Sequence, residues 1–587
     1  FTVLHGRDAK TLAFPDLAKR DDPTRIDEQL VVTLDAQLFY GVLAALPYLV
    51  DYPYECTEQT LNRFLSSGIV ASVFGRYPAV AKMAAQLAAE RDTRYETWDA
   101  ADPNRRMALE ETPWLNEAEG KDRVGPDRAL LKVLDPEVAK AERDSALAKL
   151  ARTQLPNGAF PWWDGGPPST YMTIYLLYGF AKAAEFGVDV PRDVVQKAWG
   201  YVAATYREES GGRRLGRPRG DFSLPALVFL NYVASAYRDP SYLGDALTQA
   251  ERKAILDETF KRWRELSPFL KAELALTLER MGRPANAKIV WDSVMDAAKT
   301  TPELGTFWTP EERSWLWYND TVESQAMALR TLTELNPKDP RRDGLVQWLF
   351  LNKKLNHWKS TRATAEVIYA LVHYLQQEGQ LGVREAAKVK VGARTTDFAF
   401  EPDRYTGKKA QVVITGKDLD PAHAAVEVSK ETPGLLFASA TWQFSTERLP
   451  QEDAGDLFAV SRRYFRRQQG KDGATLVPFK DGETLQPGDE VEVQIALTAK
   501  AAAEYVHLRD PRPAGFEPEG ARSGFRWDTG VGFYEETRDS GTNFFFEALP
   551  AGTVTLKYRL RANLSGTFRA GPATVQSMYA PEFTAYS

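Results

Sequence analysis

Hydrophobic residues recur with two different periods along the chain, and the change between them divides the sequence. From about residue 28 to residue 378, apolar positions repeat with the 3.6-residue period of helices, and the breaks are rich in Gly and Pro. From about residue 387 onwards, apolar and polar residues alternate in short runs bounded by turn signals. The clearest of these predicted strands are residues 388–391, 411–414, 427–429, 440–444, 490–495, 543–546 and 553–558. The pattern predicts a helical region followed by β domains.

Three segments of the helical region resemble one another. Each has an aromatic loop, a helix start rich in Ser, Thr and Ala, and an apolar helix; they are residues 157–177, 315–329 and 358–371. Repetition of this kind favours stacked helical hairpins. A closed ring of such hairpins, an α/α toroid, fits the length of the region.

The composition is that of an ordinary folded protein, with 43% hydrophobic and 26% charged residues in 587. The formal net charge of −6 gives no electrostatic basis for binding nucleic acid. No apolar run is long enough to span a membrane, and no metal-ligand spacing or Gly-rich cofactor motif occurs. We therefore expect no metal, no cofactor and no nucleic-acid partner. The chain opens at Phe1 without an initiator Met, so we expect a piece of a longer protein.

The only cysteine, Cys56, stands in the motif YPYECTEQ at residues 52–59. Gln59 follows it by three residues, a spacing that lets two side chains meet on one helical turn. A cysteine sulfur can displace ammonia from a glutamine amide, which gives an internal thioester, an activated acyl group. The alternative is an inert buried cysteine, the common fate of a free thiol. Glu58 lies between the two residues, either to position the reacting groups and handle a proton or as a charge favoured in a first helical turn.

The motif resembles that of the α2-macroglobulin and complement thioester proteins, in which an all-α domain with CTEQ-like residues precedes β domains. The YPY before the cysteine and Thr60 after the glutamine resemble the bacterial branch. The segments DPRPAGFE at 510–517, LPAG at 549–552 and SMYAPE at 577–582 resemble the last macroglobulin-type domain of that branch.

The resemblance implies a multidomain α and β protein with four parts. Residues 1–25 would end an upstream CUB-like or macroglobulin region, and residues 26–385 would form the α/α-toroid thioester domain. Residues 386–435 would be the second half of a CUB-like β domain, and residues 436–587 a receptor-binding-like β-sandwich.

The resemblance also implies a function, that of a broad-spectrum protease inhibitor which captures its attacker after cleavage of an upstream bait region. A lysine of the protease would attack the acyl carbon of Gln59 and leave Cys56 as a thiol. This is a single-use reaction, so we do not expect an enzyme. The upstream macroglobulin domains would be further partners. Tyr52, Met578 and Tyr579 match the residues that shield the thioester in bacterial relatives, and the same branch suggests the periplasm, with a lipid anchor to the inner membrane outside this chain.

Some complement relatives pass the acyl group to a histidine. The segment that would carry it, about residues 210–222, has no His, so we expect direct attack by amines. Two other functions stay open. A carbohydrate-active toroid enzyme would need paired carboxylates such as Asp164 with Glu208 or Glu209, beside the aromatic loop at 160–166. A thioester adhesin would use the same bond to attach to surfaces.

Overall fold

The computed structural model describes the chain except residues 20, 44, 51–55, 90–134, 213–221, 309–320, 354–356, 359, 407–409, 449–453, 471–472, 481, 521–522, 529 and 579–582. The helices, numbered in chain order over the described residues, are α1 Pro15–Ala18, α2 Leu38–Leu43, α3 Leu46–Val50, α4 Thr57–Arg76, α5 Pro78–Ala89, α6 Pro136–Thr153, α7 Thr170–Glu185, α8 Arg192–Gly212, α9 Leu224–Ala236, α10 Gln249–Lys261, α11 Pro268–Arg280, α12 Pro284–Met295, α13 Thr321–Leu335, α14 Arg341–Leu351 and α15 Thr361–Gln377.

The strands before and within the helical region are β1 Thr2–His5, β2 Ala9–Ala13, β3 Ile26–Asp35, β4 Lys299–Thr301 and β5 Gly305–Phe307. The strands after it are β6 Glu385–Val391, β7 Arg394–Phe400, β8 Gln411–Thr415, β9 Ala425–Lys430, β10 Leu435–Ser445, β11 Ala454–Gly455, β12 Phe458–Gly470, β13 Gly473–Pro478, β14 Glu490–Ala499, β15 Ala503–Pro511, β16 Phe516–Pro518, β17 Gly524–Asp528, β18 Val531–Arg538, β19 Gly541–Leu549, β20 Gly552–Ala562, β21 Thr574–Ser577 and β22 Thr584–Tyr586. Helices followed by antiparallel β-structure confirm the predicted mixed fold class.

Six helices form a closed inner ring. Each contacts the next in the order α4, α7, α9, α11, α13, α15, and α15 contacts α4 again. The helices between them in sequence (α6, α8, α10, α12 and α14) pack on the outside of this ring. The inner helices α7 and α15 are buried along almost their whole length, whereas α6 and α10 bury only one face. The arrangement is the predicted ring of hairpins, and the three repeated segments end in the inner helices α7, α13 and α15.

The inside of the ring is polar as well as apolar. Charged or titratable side chains less than one-tenth exposed project from the inner helices: Glu58, Lys182, Glu273, Glu323, Arg330, Arg362, Glu366 and His373. Several are paired. Tyr178 donates a hydrogen bond to Glu366 at 2.6 Å, and Arg330 forms ion pairs with Glu185 and Glu334, both at 2.5 Å. Pairing of this kind is what buried charges require.

Two four-stranded sheets form a β unit beside the ring. Their strand orders are β1-β10-β3-β8 and β2-β9-β6-β7, and their inner faces share one hydrophobic core. The ring leaves this unit after β3 and returns to it at β6. Glu385, the first residue of β6, forms an ion pair with Lys430 at the end of β9, and burial raises the pKa of its carboxyl group while that ion pair opposes the rise. The two ends of the helical region therefore meet at the β unit.

Two segments of the structure differ from what the sequence predicts. Residues from about 28 were expected to be helical, which is wrong for the first of them, because Ile26–Asp35 is a strand. Its apolar run Leu30–Leu34 is buried between strands β10 and β8, and a short run buried on both faces lacks the alternation that marks a strand. Strand β10, Leu435–Ser445, pairs with β3 and β1 and so completes the β unit rather than starting the next domain.

The C-terminal part is a second β-sandwich. Its sheets have the orders β11-β22-β21-β15-β19-β18-β17 and β13-β12-β14-β20-β16, and they enclose a separate core. Strand β20 shows the underlying pattern, because its apolar residues alternate inward with polar residues facing outward. The segment DPRPAGFE begins with Asp510, which is fully buried in the sandwich. It accepts hydrogen bonds from Tyr558 at 2.6 Å and from Arg462.

Candidate functional site

Cys56 lies at the start of helix α4, as the residue that caps its N-terminus. Its backbone is extended, with φ −69° and ψ 169°, and helical geometry begins at Thr57. Gln59 occupies the third helical position, where Glu or Gln side chains reach back to the capping residue. The side-chain oxygen of Gln59 accepts a hydrogen bond from the backbone N–H of Cys56 at 3.0 Å, and the backbone N–H of Gln59 points at Cys56 Sγ. This reciprocal pairing brings the sulfur and the carboxamide to one helix end.

Burial is the main influence on the Cys56 thiol. Cys56 is 6% exposed, and burial raises the pKa of its thiol. The Gln59 N–H opposes this rise, and the charge of Glu58 adds to it. The thiol is therefore held in its protonated form at neutral pH, and it needs an acceptor for its proton before it can act as a nucleophile.

Glu58 lies where its carboxyl group can accept the proton of the Cys56 thiol. Its Oε2 atom lies 3.9 Å from Cys56 Sγ, and its Oε1 atom accepts a hydrogen bond from Asn62 Nδ2 at 2.6 Å. Thr361 Oγ1, on helix α15, lies 3.1 Å from Oε1 and 3.2 Å from Oε2. Burial raises the pKa of Glu58, while the hydrogen bonds from Thr361 and Asn62 and the charge of Arg362 oppose the rise. The carboxyl group is thus poised to exchange a proton with the thiol.

The loop before helix α7 holds the other side of the turn. The carbonyl of Trp162 accepts a hydrogen bond from the Thr57 backbone N–H at 3.0 Å, and the carbonyl of Pro161 accepts one from Thr57 Oγ1 at 2.6 Å. We call Pro161 and Trp162 the carbonyl strap. Trp162 stacks on Tyr171, with ring centroids 5.9 Å apart and an angle of 14°. The aromatic loop at residues 160–166 thus fixes the start of helix α4.

Sequence reasoning found Cys56, Glu58 and Gln59 but missed the residues that hold them. Thr57 and Asn62 stand in the same helix, yet polar residues at helix starts are too common to single out. Thr361 lies in the third repeated segment and Trp162 in the first. The repetition was the available signal, because inner helices of one ring begin at the same end.

The chain is similar in sequence to proteins that are already known. Residues 458–582 match the family described as Bacterial Alpha-2-macroglobulin MG10 domain. The whole chain aligns with the α2-macroglobulin of Escherichia coli K12, at 24% identity over 608 positions. The chain is similar to the bacterial α2-macroglobulins over its whole length. The alignment covers 100% of this chain but 31% of the E. coli protein, so the chain spans about a third of that relative's length.

Other relatives agree in name. A Nostoc α2-macroglobulin homolog is 22% identical over 481 positions, which cover 76% of this chain and 23% of that protein. Among solved structures, native E. coli α2-macroglobulin from domain MG7 to the C-terminus is 19% identical, with a TM-score of 0.38, and the alignment covers 100% of this chain and 80% of that one. E. coli α2-macroglobulin activated by porcine elastase is 19% identical with a TM-score of 0.45, over 99% of this chain and 45% of that one.

The shield expected in a relative of the bacterial α2-macroglobulins lies largely beyond the described residues. Tyr52 and Tyr579 both fall outside them. Met578 is half-buried just after strand β21, and its backbone N–H donates to the carbonyl of Tyr505 at 2.8 Å. Within the described part of the chain, no hydrogen bond or ring contact joins Met578 to Cys56. The shield stays a prediction.

The histidines are engaged in structural contacts. His357 packs edge-on against Tyr48 at 4.0 Å, and His373 lies 3.6 Å from Glu185 inside the ring. His507 hydrogen-bonds Asn543 at 3.0 Å in the C-terminal sandwich. Residues 213–221, most of the segment where an acyl-accepting His would align, lie outside the described residues. Direct attack by amines stays the expectation.

The three carboxylates considered for a carbohydrate-active site, Asp164, Glu208 and Glu209, are not buried. Asp164 and Glu208 are exposed, and Glu209 accepts a hydrogen bond from the backbone of Phe222 at 3.2 Å. Glycosidase carboxylates flank a bound sugar on both sides. Over the residues that the structure describes, no group of three or more His, Cys, Asp or Glu could hold a metal ion, and no helix has the length and apolar character to cross a membrane.

Proposed function

We propose that this chain is the thioester-bearing part of a covalent protease inhibitor. The observation that carries the proposal is the pairing of Cys56 and Gln59 at one helix end, with Glu58 buried beside the sulfur. The relationship to bacterial α2-macroglobulins supports it. The bond would join Cys56 Sγ to Gln59 Cδ.

The residues at this helix end support a bond-forming step. The thiol of Cys56 attacks Gln59 Cδ, and its proton passes through the Glu58 carboxylate to the departing amide nitrogen, which leaves as ammonia. Negative charge develops on Gln59 Oε1 in the tetrahedral intermediate. The Cys56 N–H already lies 3.0 Å from that oxygen, at the positive end of a helix, and such a preorganised donor stabilises an oxyanion.

The same groups serve the reaction with an attacker. The ε-amino group of a protease lysine attacks Gln59 Cδ, the C–S bond breaks, and an amide joins the protease to this chain. The amine loses a proton and the departing sulfur gains one, with Glu58 as the carrier. The acyl group is consumed, so the reaction occurs once per chain and the protein is an inhibitor rather than an enzyme. Amines rather than a histidine are the direct attackers.

The remaining parts of the proposal concern the longer protein. Cleavage of an upstream bait region triggers the reaction, and upstream macroglobulin domains control it. Tyr52, Met578 and Tyr579 cover the thioester until then, since reactive intermediates survive only where water is excluded. The periplasm, with a lipid anchor to the inner membrane, is the proposed location. The resemblance to the bacterial branch supports these points.

Intact mass spectrometry and thiol titration test the proposal. The freshly purified chain should be lighter than its sequence by one ammonia. Methylamine should add its own mass, which leaves the chain one CH2 group heavier than its sequence, and should release one thiol. Cys56→Ser should show neither the mass deficit nor the released thiol. A wild-type chain with its full sequence mass and no amine-dependent thiol would refute the thioester.

A further inference from the structure

The turn that carries Cys56 is supported from two other inner helices of the ring. On one side Thr361 of helix α15 contacts Glu58, and on the other the carbonyl strap before helix α7 contacts Thr57. The two supports are joined to each other through Arg362 and Tyr171. The contacts thus form a closed circuit around the site.

Thr361 is the first residue of helix α15 and lies 303 positions from Glu58 in sequence. Ser360 caps this helix by accepting a hydrogen bond from the Ala363 N–H at 3.1 Å, which fixes where the helix begins. The Thr361 hydroxyl donates to the Glu58 carboxyl, within 3.2 Å of both of its oxygens. The contact spans the place where the last inner helix meets the first, which we call the seam.

Arg362 extends the circuit from the seam to the strap. Its guanidinium donates to Tyr171 Oη at 2.8 Å and lies over the ring of Tyr175 at 5.4 Å from the centroid. Tyr171 stacks on Trp162, whose carbonyl holds the Thr57 N–H. Arg362 is 4% exposed, so its side chain is fixed by these contacts rather than by solvent.

We propose that Thr361 and Arg362 are positioning residues of the thioester site. Thr361 fixes the Glu58 carboxyl toward Cys56 Sγ for proton exchange, and Arg362 fixes the carbonyl strap through Tyr171 and Trp162. Closure of the helical ring at the seam is therefore what assembles the reactive turn. This inference rests on the proposed thioester function.

Loss of the Thr361–Glu58 contact (the first arm) and loss of the Arg362–Tyr171 contact (the second arm) should affect the reaction differently. Loss of the Thr361 hydroxyl changes the environment of the carboxyl that exchanges protons, so it changes both the rate and its dependence on pH. Loss of the Arg362–Tyr171 contact loosens the backbone at Thr57 and so lowers the rate. It changes the dependence on pH less, because the Arg362 charge stays near Glu58. The titratable or charged groups that face Glu58 across the packed helices are Cys56, Tyr171, Tyr175, Arg362 and Tyr369.

The test is the rate of methylamine-dependent thiol release from the full chain, measured across pH. Thr361→Val, which keeps the shape of the side chain and removes its hydroxyl, should slow release by about 10-fold or more and shift the pH profile. Thr361→Ser keeps the hydroxyl, so it should release the thiol at a rate within about twofold of wild type. Its pH profile should match that of wild type. Thr331→Val is the matched control, because Thr331 is a buried threonine of inner helix α13 whose hydroxyl, among the described residues, donates to its own helix at the Met327 carbonyl.

Tyr171→Phe tests the second arm. It removes the oxygen that accepts from Arg362 and keeps the ring that stacks on Trp162, so it should slow release by about 10-fold with a smaller shift in the pH profile than Thr361→Val gives. A Thr361→Val chain that folds yet carries no ammonia deficit would also support the inference, since the thioester would then fail to form.

Two results would overturn the inference, and they are distinguishable. If wild type releases a thiol and both Thr361→Val and Tyr171→Phe match it in rate and pH profile, the positioning roles are wrong while the thioester stands. If wild type has no mass deficit and releases no thiol, the proposed function fails and the positioning roles fail with it. If Thr361→Val does not fold, the comparison of Tyr171→Phe with wild type decides.

Discussion

Gln59 has two roles at the start of helix α4, and one substitution separates them. As a capping residue it offers an oxygen to the Cys56 N–H at 3.0 Å, and as a proposed acyl donor it offers a carboxamide to the thiol. Glutamate keeps the oxygen and suits the third position of a helix, but its carboxylate has no ammonia to lose.

Gln59→Glu should therefore abolish the mass deficit and the methylamine-released thiol while leaving the fold intact. Its free energy of unfolding should stay within about 1 kcal/mol of methylamine-treated wild type. Urea unfolding and intact mass measure the two effects. Gln59→Ala is the comparison, because it removes the cap as well and should cost about 0.5–2 kcal/mol. A mass deficit that persists in Gln59→Glu would place the acyl carbon elsewhere.

The buried imidazole of His373 should make the stability of the protein depend on pH. Burial lowers the pKa of His373 to about 4, and the positive charge of Arg330 contributes. The unfolded chain therefore binds a proton at higher pH than the folded chain does. Stability from this residue is complete above pH 6.5 and is lost as the pH falls toward 4, by an amount on the order of 2–3 kcal/mol.

The measurement is urea unfolding of wild type and His373→Asn between pH 4 and 8. The difference in unfolding free energy should be constant above pH 6.5 and should shift in favour of the variant below it. A difference that does not change with pH would mean that His373 titrates alike in both states.

The reacting residues could be predicted from their spacing, but their supports could not. Cys56, Glu58 and Gln59 lie within one turn, so local geometry brings them together whatever the rest of the fold does. Thr361 lies in another helix, and only the closed ring reveals that its hydroxyl faces Glu58. Tertiary contacts over such distances leave no local pattern in a single sequence.

At the scale of elements, helices α4 and α7 approach each other closely at a glycine. A Cβ atom placed on Gly179 would lie 2.5 Å from Leu61 Cδ2, inside the van der Waals distance. Leu61 is 1% exposed and has no room to retreat. The contact lies one turn beyond Glu58, so it also sets how the site-bearing helix sits in the ring.

Gly179→Ala should destabilise the protein by about 1–3 kcal/mol, although alanine is the better helix former. Gly200→Ala is the matched control, because Gly200 is also helical and has open space where a Cβ would go. That variant should gain about 0.5–1 kcal/mol. Thermal or urea unfolding compares the two. Equal effects at both positions would show that the α4–α7 contact can adjust.

Element types followed the hydrophobic period closely. Each short alternating run predicted after residue 387 lies within a strand, and the repeated segments end in inner helices. The exception was β3, whose continuous apolar run fits a buried strand and a buried helix equally well, and only its pairing with β10 and β8 decides.

At the scale of the whole molecule, the helical ring is an insertion between two parts of one β unit. Strand β3 ends at Asp35 and strand β6 begins at Glu385, and both strands contribute side chains to one hydrophobic core. The β unit has its own core, separate from that of the ring. Strands that are neighbours in this unit are therefore hundreds of residues apart in sequence.

A chain in which a short Gly/Ser linker joins residues 1–35 to residues 385–445, without the ring and without the C-terminal sandwich, should therefore still fold. We expect a far-UV circular dichroism spectrum typical of β-structure and a cooperative unfolding transition with a free energy of a few kcal/mol. Adding Val32→Asp, which buries a charge in the β-unit core, should abolish that transition. A linked chain without cooperative unfolding would show that the ring is required for the β unit to fold.

The seam has a consequence for when the protein becomes reactive. During synthesis Cys56, Glu58 and Gln59 leave the ribosome before Thr361 and Arg362, which emerge some three hundred residues later. On the proposed roles, a nascent chain holds its reactive groups long before it holds the residues that align them. The thioester would then form only on chains whose helical ring is complete. Truncated or misfolded copies would carry no thioester and would not react with amines. The presence of the bond would therefore indicate that the helical ring had finished folding.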